Sequence, residues 1–378
     1  MEIVAIIIGI TLIIVVLWEG FETIILPRRV TRRYRLTRFF YRNSWRPWVK
    51  MVNVLVPLRQ RETWLSYFGP LSLLVLLSVW AVVLVSGYGL IHWALGSAVL
   101  TTDGKVGLFN AFYLSGSTFF TLGLGDTLPR TSMARLLVVV ESGMGFAFLA
   151  LVIGYLPALN QSFASREVRI SLLDARAGSP PTASELLCRH GHKEGKEALR
   201  QLLHEWEYWS AELLEGHLSY PVLAYFRSQH DNQSWLAALT AILDACAMIV
   251  AGLEGTCERQ AGLTFAMARH AVVDLSLVFI SGPVDTYPDR LPPEKLVELR
   301  LLLASKGQKL LEGDAVDRKL QELRLQYEPY INSLAIHFQV SLPPWIADEN
   351  WVDNWQASYW GWHGSDVISM RNRKSEHF

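Results

Sequence analysis

The chain has 378 residues, of which 51% are hydrophobic and 19% are charged, and its formal net charge is zero. This composition is too apolar for an ordinary soluble protein and too charged for one lying wholly in a membrane, so both kinds of part are expected. The charge is uneven, because residues 1–66 carry 11 Arg or Lys against 4 acidic residues, whereas residues 67–378 carry 24 against 31. The three widely spaced cysteines argue against a disulfide framework and indicate free thiols in a reducing compartment.

The chain begins with an apolar segment that is followed by a strongly basic one. Residues 1–20 are predicted to form an N-terminal transmembrane helix. The uncharged stretch Ile3–Trp18 is, at about 1.5 Å per residue, slightly shorter than the bilayer core. Residues 21–66 are predicted to form a basic cytoplasmic or interfacial loop. A basic segment beside a span stays in the cytoplasm, so the N-terminus is expected outside.

The arginines of this basic loop have two interpretations. They set the topology alone, or they also bind anionic lipid headgroups, each contributing about 1 kcal/mol near the membrane surface. Trp45 and Trp48 lie among the basic residues, as on an interfacial helix. Nucleic acid is not expected as a partner, because the basic patch adjoins the membrane. The lipid-binding candidates are Arg28, Arg29, Arg32 and Arg33.

Two long apolar segments enclose a shorter one in residues 67–164. The outer helix is predicted at 69–95 and the inner helix at 136–163, both long enough to span a bilayer. The apolar run 108–120 is too short to span. It precedes a segment with two alternating glycines, which let the backbone adopt conformations closed to other residues. Irregular backbone at membrane depth survives where it lines an aqueous path, so a re-entrant pore loop is predicted.

Residues 121–126, which read Thr-Leu-Gly-Leu-Gly-Asp, resemble the selectivity filter of potassium channels, usually written T-V-G-Y-G-D. The match includes the Thr, both Gly and the Asp, and the resemblance covers roughly residues 66–164. It implies a member of the potassium channel family with two transmembrane helices and a single pore loop, of the prokaryotic type, here with an extra N-terminal transmembrane helix. The ion-binding residues implied by the resemblance are Thr121, Leu122, Gly123, Leu124, Gly125 and Asp126.

The resemblance also implies an assembly and a transported ion. Each chain supplies one filter loop, so a homotetramer is expected, in which rings of carbonyl oxygens replace the hydration shell of K⁺. The expected function is passive conduction of K⁺, with no enzymatic activity and no cofactor other than the permeant ion. Leu124 departs from the family pattern, where Tyr is usual, and supplies no hydroxyl to brace the filter. A weakly selective Na⁺/K⁺ channel and a non-conducting membrane-tethered sensor or binding protein therefore stay open as alternatives.

The predicted inner helix contains four residues with possible roles in gating or filter support. Gly143 and Gly145 serve either as a hinge or for close helix packing, and the resemblance places the hinge at Gly145. Pro157 is expected to kink the inner end of the helix, because it removes a backbone hydrogen bond. Glu141 is costly in a membrane and is a functional candidate. It either faces the aqueous cavity and attracts cations or braces the pore helix from behind.

The remaining chain is predicted to be cytoplasmic, with a linker at 165–182, an all-helical domain of about six helices at 183–340 and a Trp-rich tail at 341–378. Thr182 and Glu185 have the spacing of a helix N-terminal capping box. The apolar stretches 236–253 and 263–280 carry central charges, which favours core helices over further spans. The tail tryptophans pack along the bundle or a neighbouring subunit, or bind a ligand or the membrane surface. No regulatory ligand and no gating stimulus is predicted.

The expected fold class is therefore an all-α membrane protein. Three transmembrane helices and a re-entrant pore helix with its filter loop are joined to an all-α cytoplasmic bundle. The expected location is the cell (plasma) membrane. The sequence contains no nucleotide-binding, hydrolase or metalloprotease motif that supports an enzyme.

Overall fold

The computed structural model describes residues 1–25, 36–96, 99–101, 107–192, 195–229, 233–255, 257–280 and 282–347. Within these ranges the chain forms thirteen α-helices and one two-stranded antiparallel sheet. It divides into two compact units. The first unit comprises residues 1–163 and 216–227, and the second comprises residues 164–215 and 228–378.

The first unit joins the predicted N-terminal span, the basic segment and the predicted pore module. Its helices are α1 (Glu2–Gly20), which is extended by a π-helical turn (Phe21–Ile25), α2 (Leu36–Leu55), α3 (Arg61–Ser66), α4 (Phe68–Ala94) and α5 (Leu108–Phe119). The helix α6 (Ser132–Ala177) begins in the first unit and ends in the second. The sheet pairs β1 (Val99–Thr101) with β2 (Thr127–Pro129), in the register Leu100 opposite Leu128.

The backbones of α1 and α4 approach each other closely. A Cβ atom added to Gly9 would lie 2.5 Å from the carbonyl oxygen of Gly87, so the two helices touch at their glycines. Small residues at such crossings are typical of helix pairs in membranes, where close van der Waals packing drives association. The N-terminal helix is thus packed against the outer helix of the pore module.

Five helical stretches are long and apolar enough to cross a membrane by length and composition: Glu2–Ile24, Leu58–Ala94, Ser132–Ala177, Trp235–Gly252 and Glu258–Phe279. The first three contain the predicted spans. The most apolar part of Ser132–Ala177 is 11% buried, whereas that of Trp235–Gly252 is 89% buried inside the protein. The latter helix is therefore enclosed by protein side chains, as expected for a core helix.

The inner helix is longer than the sequence analysis predicts. It was expected at 136–163, with a linker at 165–182, but α6 continues without a break to Ala177. Pro157 lies inside this helix and does not end it. The extension follows from the sequence, because residues 165–177 contain neither Gly nor Pro, and the first helix breakers are Gly178, Pro180 and Pro181. Gly178 has a φ of +82°, which is typical of a residue that terminates a helix.

The second unit is a bundle in which α6 is followed by seven described helices: α7 (Ala183–Arg189), α8 (Gly195–Ser219), α9 (Trp235–Gly252), α10 (Glu258–Phe279), α11 (Pro293–Ser305), α12 (Asp314–Leu325) and α13 (Glu328–Phe338). The predicted helix start is confirmed, since the Thr182 hydroxyl accepts a hydrogen bond from the Glu185 amide at 3.3 Å. The Thr182 amide donates to the Ala177 carbonyl, so the reciprocal bond of a capping box is replaced. The last four residues of α8 belong to the first unit.

The acid in the middle of α9 is held by a buried ionic cluster. Asp244 is 0% exposed, and both terminal nitrogens of Arg290 donate to its carboxylate at 2.8 Å. Arg290 and Arg324 also flank the buried ring of Trp345, at 5.7 and 5.6 Å from its centroid. Pairing makes a buried charge tolerable in a protein core. Trp345 is therefore packed along the bundle. The other tail tryptophans, Trp351, Trp355, Trp360 and Trp362, lie outside the described residues.

A short segment of residues 216–227 packs inside the first unit. Its 3₁₀ turn (Pro221–Tyr225) ends in Tyr225, whose ring stacks on Tyr41, meets Trp45 edge to face and lies tilted against Phe68. The ring centroids are 5.3 Å apart in each of the three pairs. The next residue, Phe226, packs on Phe163 of α6. This segment thus joins α2, α4 and α6 of the first unit. Sequence analysis did not single it out.

Candidate functional site

The pore helix α5 ends in a hydrogen-bonded cap that starts the filter loop. The Leu122 amide donates to the Ser117 carbonyl at 2.8 Å, and the Thr121 amide donates to the Thr118 carbonyl at 3.0 Å. This pair of bonds is the Schellman arrangement, which needs a left-handed residue after the helix end. Thr121 takes that place with a φ of +56°, although glycine is the usual residue there. The first two filter amides are thereby directed back onto α5.

Positive φ angles recur at every second residue of the filter loop. They are +56° at Thr121, +62° at Gly123 and +79° at Gly125. In an ordinary β-strand, where every φ is negative, successive residues face opposite sides. Reversing φ at alternate positions breaks this alternation, which is the condition for neighbouring carbonyls to share one side. The two glycines meet this condition without steric cost.

The outer end of the loop is tied to the pore helix. The Tyr113 hydroxyl donates a hydrogen bond of 2.8 Å to Oδ2 of Asp126. Immediately afterwards the chain enters β2, which pairs with β1 from the segment between α4 and α5. Asp126 is thereby held against the pore helix, with Tyr113 as its hydrogen-bond partner. The tyrosine of this contact lies on the pore helix, whereas the usual family tyrosine lies within the filter itself.

All six residues of the filter loop are exposed in the single chain. The side chains of Leu122 and Leu124 are 60% and 64% exposed. Within one chain the side chain of Leu124 thus remains mostly accessible. Protein has to cover this loop on further sides if it is to lie at membrane depth.

Glu141 lies behind the pore helix. Its Oε2 atom is 3.0 Å from Nε2 of His92 on α4, and its Oε1 atom contacts the hydroxyl of Ser115 on α5. All three side chains are 0% exposed. The cluster joins the outer helix, the pore helix and the inner helix at one point. Of the two positions open for Glu141, the side chain takes the one behind the pore helix.

The two inner-helix glycines differ in their surroundings. A Cβ atom on Gly145 would lie 2.0 Å from the carbonyl oxygen of Phe119, the last residue of α5. A Cβ atom on Gly143 would meet nothing within 4 Å. Close packing thus requires glycine at 145, directly behind the start of the filter loop. The hinge roles of Gly143, Gly145 and Pro157 stay predictions.

The predicted lipid-binding residues Arg28, Arg29, Arg32 and Arg33 lie outside the described residues. The following helix α2 is two-faced. Its buried face carries Tyr41, Trp45 and Val52, and its exposed face carries the basic residues Arg38, Arg42, Arg46 and Lys50. The basic residues recur every four positions, so they form one stripe along the helix.

Other candidate ligands do not converge in the part of the chain described by the structure. Among those residues there is no group of three or more His, Cys, Asp or Glu that could hold a metal ion. Cys188, near two histidines in the sequence, is partly buried, and this burial raises the pKa of its thiol to about 11. A thiol of that kind is protonated at neutral pH when no metal ion is bound.

Comparison with known proteins identifies the class of the segment around the filter. Residues 73–161 match the model of a protein family described as "Ion channel". These residues are thus similar to the channel domain of that family, and we call them the ion-channel segment. The match contains most of α4, all of α5, the filter loop and the first part of α6. The sequence-based resemblance to a single-pore-loop channel is confirmed for this segment, and ion channels as a class conduct ions and convert no substrate.

A curated relative supports the membrane assignment. The chain is 26% identical over 197 residues to a Bacillus subtilis (strain 168) protein named "Uncharacterized membrane protein YdjJ", in a match that covers 50% of this chain and 55% of that protein. The match thus spans about half the length of that relative. No solved structure matches this chain. The ion-channel segment, the apolar helices and the membrane-protein relative together confirm an all-α membrane protein.

Proposed function

We propose that the protein is one subunit of a homotetrameric, potassium-selective channel that conducts K⁺ passively. The observation that carries the proposal is the filter loop of the ion-channel segment, in which every second residue has a positive φ. This backbone is suited to present the carbonyls of Thr121, Leu122, Gly123 and Leu124 together. The Thr121 hydroxyl would add a ligand at the inner end.

Fourfold symmetry follows from the chemistry of the ion. A dehydrated K⁺ needs oxygen ligands on all sides, and one loop supplies one wall. Four loops around an axis form complete rings of carbonyl oxygens. Large apolar side chains exposed in the single chain are compatible with such packing, notably Phe109 (80% exposed), Phe120 (60%), Phe146 (70%) and Ile153 (62%). They would contact neighbouring subunits or lipid.

The proposed orientation places the N-terminus outside and the second unit in the cytoplasm. It rests on the positive-inside rule and on the basic stripe of α2. In this orientation the stripe lies at the cytoplasmic membrane surface, where anionic lipids attract basic residues. Anionic lipid is therefore the proposed partner of this surface, and the second unit is the proposed regulatory domain.

Flux from liposomes tests the proposal. The purified protein is reconstituted with K⁺ inside, and K⁺ efflux is compared for the wild type, Gly123→Ala and Gly262→Ala. Gly123 needs a positive φ, so alanine there should abolish selective efflux. Gly262, in α10, has open space around its Cα and tests the same substitution away from the filter. Native mass spectrometry measures the number of subunits. A well-folded wild type that conducts no ions would favour the membrane-tethered sensor instead.

A second candidate function is a weakly selective Na⁺/K⁺ channel. Leu124 favours it, because leucine has no hydroxyl to brace the filter against its surroundings. Reversal potentials in mixed Na⁺ and K⁺ distinguish the two functions. A reversal potential at the K⁺ equilibrium value supports the selective channel, and one near zero in a K⁺ gradient balanced by Na⁺ supports the weakly selective one.

A further inference from the structure

The contacts within the buried cluster of Glu141, His92 and Ser115 indicate which of its groups carry hydrogen. Ser115 Oγ lies 2.8 Å from the carbonyl oxygen of Val85 and also contacts Oε1 of Glu141. Each of these contacts between two oxygens needs one hydrogen. The Val85 carbonyl cannot donate, and a serine hydroxyl has a single hydrogen. If Ser115 donates to Val85, the second hydrogen has to come from the carboxyl group of Glu141.

The contacts of His92 indicate that its imidazole ring is neutral. His92 Nε2 is 3.0 Å from Oε2 of Glu141, whereas His92 Nδ1 is buried without a hydrogen-bond partner in the described structure. In an imidazolium both ring nitrogens carry hydrogen, and Nδ1 would be a buried donor with no acceptor, which is costly. In a neutral imidazole with its hydrogen on Nε2, this donor is paired with Glu141 and Nδ1 carries none.

We infer that Glu141 is a protonated, neutral carboxylic acid that acts as a positioning residue for the filter. It donates from Oε1 to Ser115, which donates to the Val85 carbonyl, and it accepts at Oε2 from neutral His92. This arrangement satisfies the contacts of Glu141 with His92 and Ser115 and that of Ser115 with Val85, and it places no net charge at membrane depth, where charges are expensive. It rests on the proposed channel function and adds the residues that hold its filter in place.

The path from Glu141 to the filter is short. Ser115 and Ser117 lie on the same turn of α5, and the Ser117 carbonyl accepts the Leu122 amide at the start of the loop. Holding Ser115 against α4 and α6 thus holds the carbonyl that caps the filter. This support comes from the inner helix, and it offsets the missing hydroxyl at position 124.

Ionisation of Glu141 would remove the donor to Ser115 and leave a buried charge. The titratable groups that face it are His92 and Tyr88, both on α4, and the polar group that faces it from α5 is Ser115. Alkaline pH is therefore expected to weaken the hold on α5 and to lower the K⁺ over Na⁺ preference of the wild type.

The test compares two substitutions of the same residue. Glu141→Gln keeps one donor and one acceptor, so its K⁺/Na⁺ flux ratio should stay within about twofold of the wild type and should not fall at alkaline pH. Glu141→Ala leaves Ser115 and His92 without a partner, and its ratio should fall about tenfold. If Glu141 instead attracted cations as a carboxylate, the glutamine variant would lose conduction as the alanine variant does. Should Glu141→Ala fail to assemble, Ser115→Ala is expected to lower the ratio in the same direction.

Infrared spectroscopy separates this inference from the proposed function. At neutral pH the wild type in lipid should show the carbonyl band of a protonated carboxyl group that is missing from Glu141→Gln. If this difference band is absent, the inference is overturned, even if the protein conducts K⁺. A difference band in a protein that conducts nothing would uphold the protonated carboxyl and overturn its role in selectivity.

Discussion

At the scale of single residues, Thr121 combines a strained backbone with a proposed ligand. A β-branched residue with a φ of +56° is a genuine outlier, costing roughly 1–2 kcal/mol over a right-handed conformation. Strain of this kind persists where the surrounding structure or a function requires it. Glycine would fit the helix cap better, so the hydroxyl of Thr121 is the reason we propose for threonine at this place.

Two substitutions separate the backbone of Thr121 from its hydroxyl. Thr121→Gly should leave the free energy of unfolding within about 1 kcal/mol of the wild type, because relieved strain offsets the flexibility of glycine. The same variant should lose preference for K⁺ in liposome flux, whereas Thr121→Ser, which keeps a hydroxyl, should retain it. Denaturant unfolding in detergent supplies the stability comparison. Retention of full selectivity by Thr121→Gly would contradict the ligand role.

Gly145 is the second residue whose identity the structure explains. Alanine there would bring Cβ to 2.0 Å from the Phe119 carbonyl oxygen, so either α6 or the end of α5 has to shift. Overpacking of this kind is expected to destabilise Gly145→Ala by about 1–3 kcal/mol. The matched control is Gly154→Ala on the same helix, where a Cβ meets nothing within 4 Å. That variant should be neutral or stabilised by up to about 1 kcal/mol. Equal stability of the two variants by thermal unfolding in detergent would argue against the close contact.

At the scale of elements, the segment 216–227, which contains the 3₁₀ turn Pro221–Tyr225, contacts three helices of the first unit. Tyr225 is 6% exposed and lies in a cluster of four aromatic rings. Truncation to Tyr225→Ala should destabilise the protein by about 3 kcal/mol or more, because it removes a large buried side chain and leaves a cavity. Tyr208 on α8 is 63% exposed, so Tyr208→Ala should change stability by no more than about 0.5 kcal/mol. Chemical denaturation of both variants checks this, and a similar small effect for each would show that the turn contributes little.

Local sequence patterns predict the positions of some helices well, whereas the partners of buried side chains depend on contacts between residues that are distant in the sequence. The pore helix was expected at 108–120 and is found at Leu108–Phe119, because apolar periodicity and the following glycines are local signals. The partner of Glu141 is His92, 49 residues away, and no spacing rule reaches that far. The docking of Tyr225 onto Tyr41 likewise depends on tertiary packing of distant segments. The length of α6 can be read locally, because residues 165–177 contain neither Gly nor Pro, whereas the end of the apolar stretch predicts an earlier end of the helix.

At the scale of the whole molecule, the two units differ in how they hold charge. In the first unit, Glu141 of the inner helix is buried and makes hydrogen-bond contacts with His92 and Ser115. In the second unit, Asp244 is neutralised by Arg290 in a full ion pair. Burial raises the pKa of the nearby Glu328, and Arg290 opposes that rise. A protein core supplies such partners in abundance, whereas lipid supplies none, which agrees with α9 being enclosed by protein.

The proposed orientation gives the whole molecule a measurable topology. With the basic stripe of α2 on the cytoplasmic side, a tag before Met1 should be cleaved by protease added outside intact cells, and a tag after Phe378 should be protected.

Replacing Arg38, Arg42 and Arg46 by Gln keeps the length of α2 and removes three exposed positive charges. This variant should show a larger fraction of inverted chains, because the bias of basic residues across the first two spans sets orientation. The matched control replaces Arg259, Arg269 and Arg318 of the second unit by Gln and should insert as the wild type does, since these residues are far in sequence from the spans. Protection of the N-terminal tag together with cleavage of the C-terminal tag in the wild type would contradict the orientation, and an unchanged ratio in the α2 variant would remove the stripe as its cause.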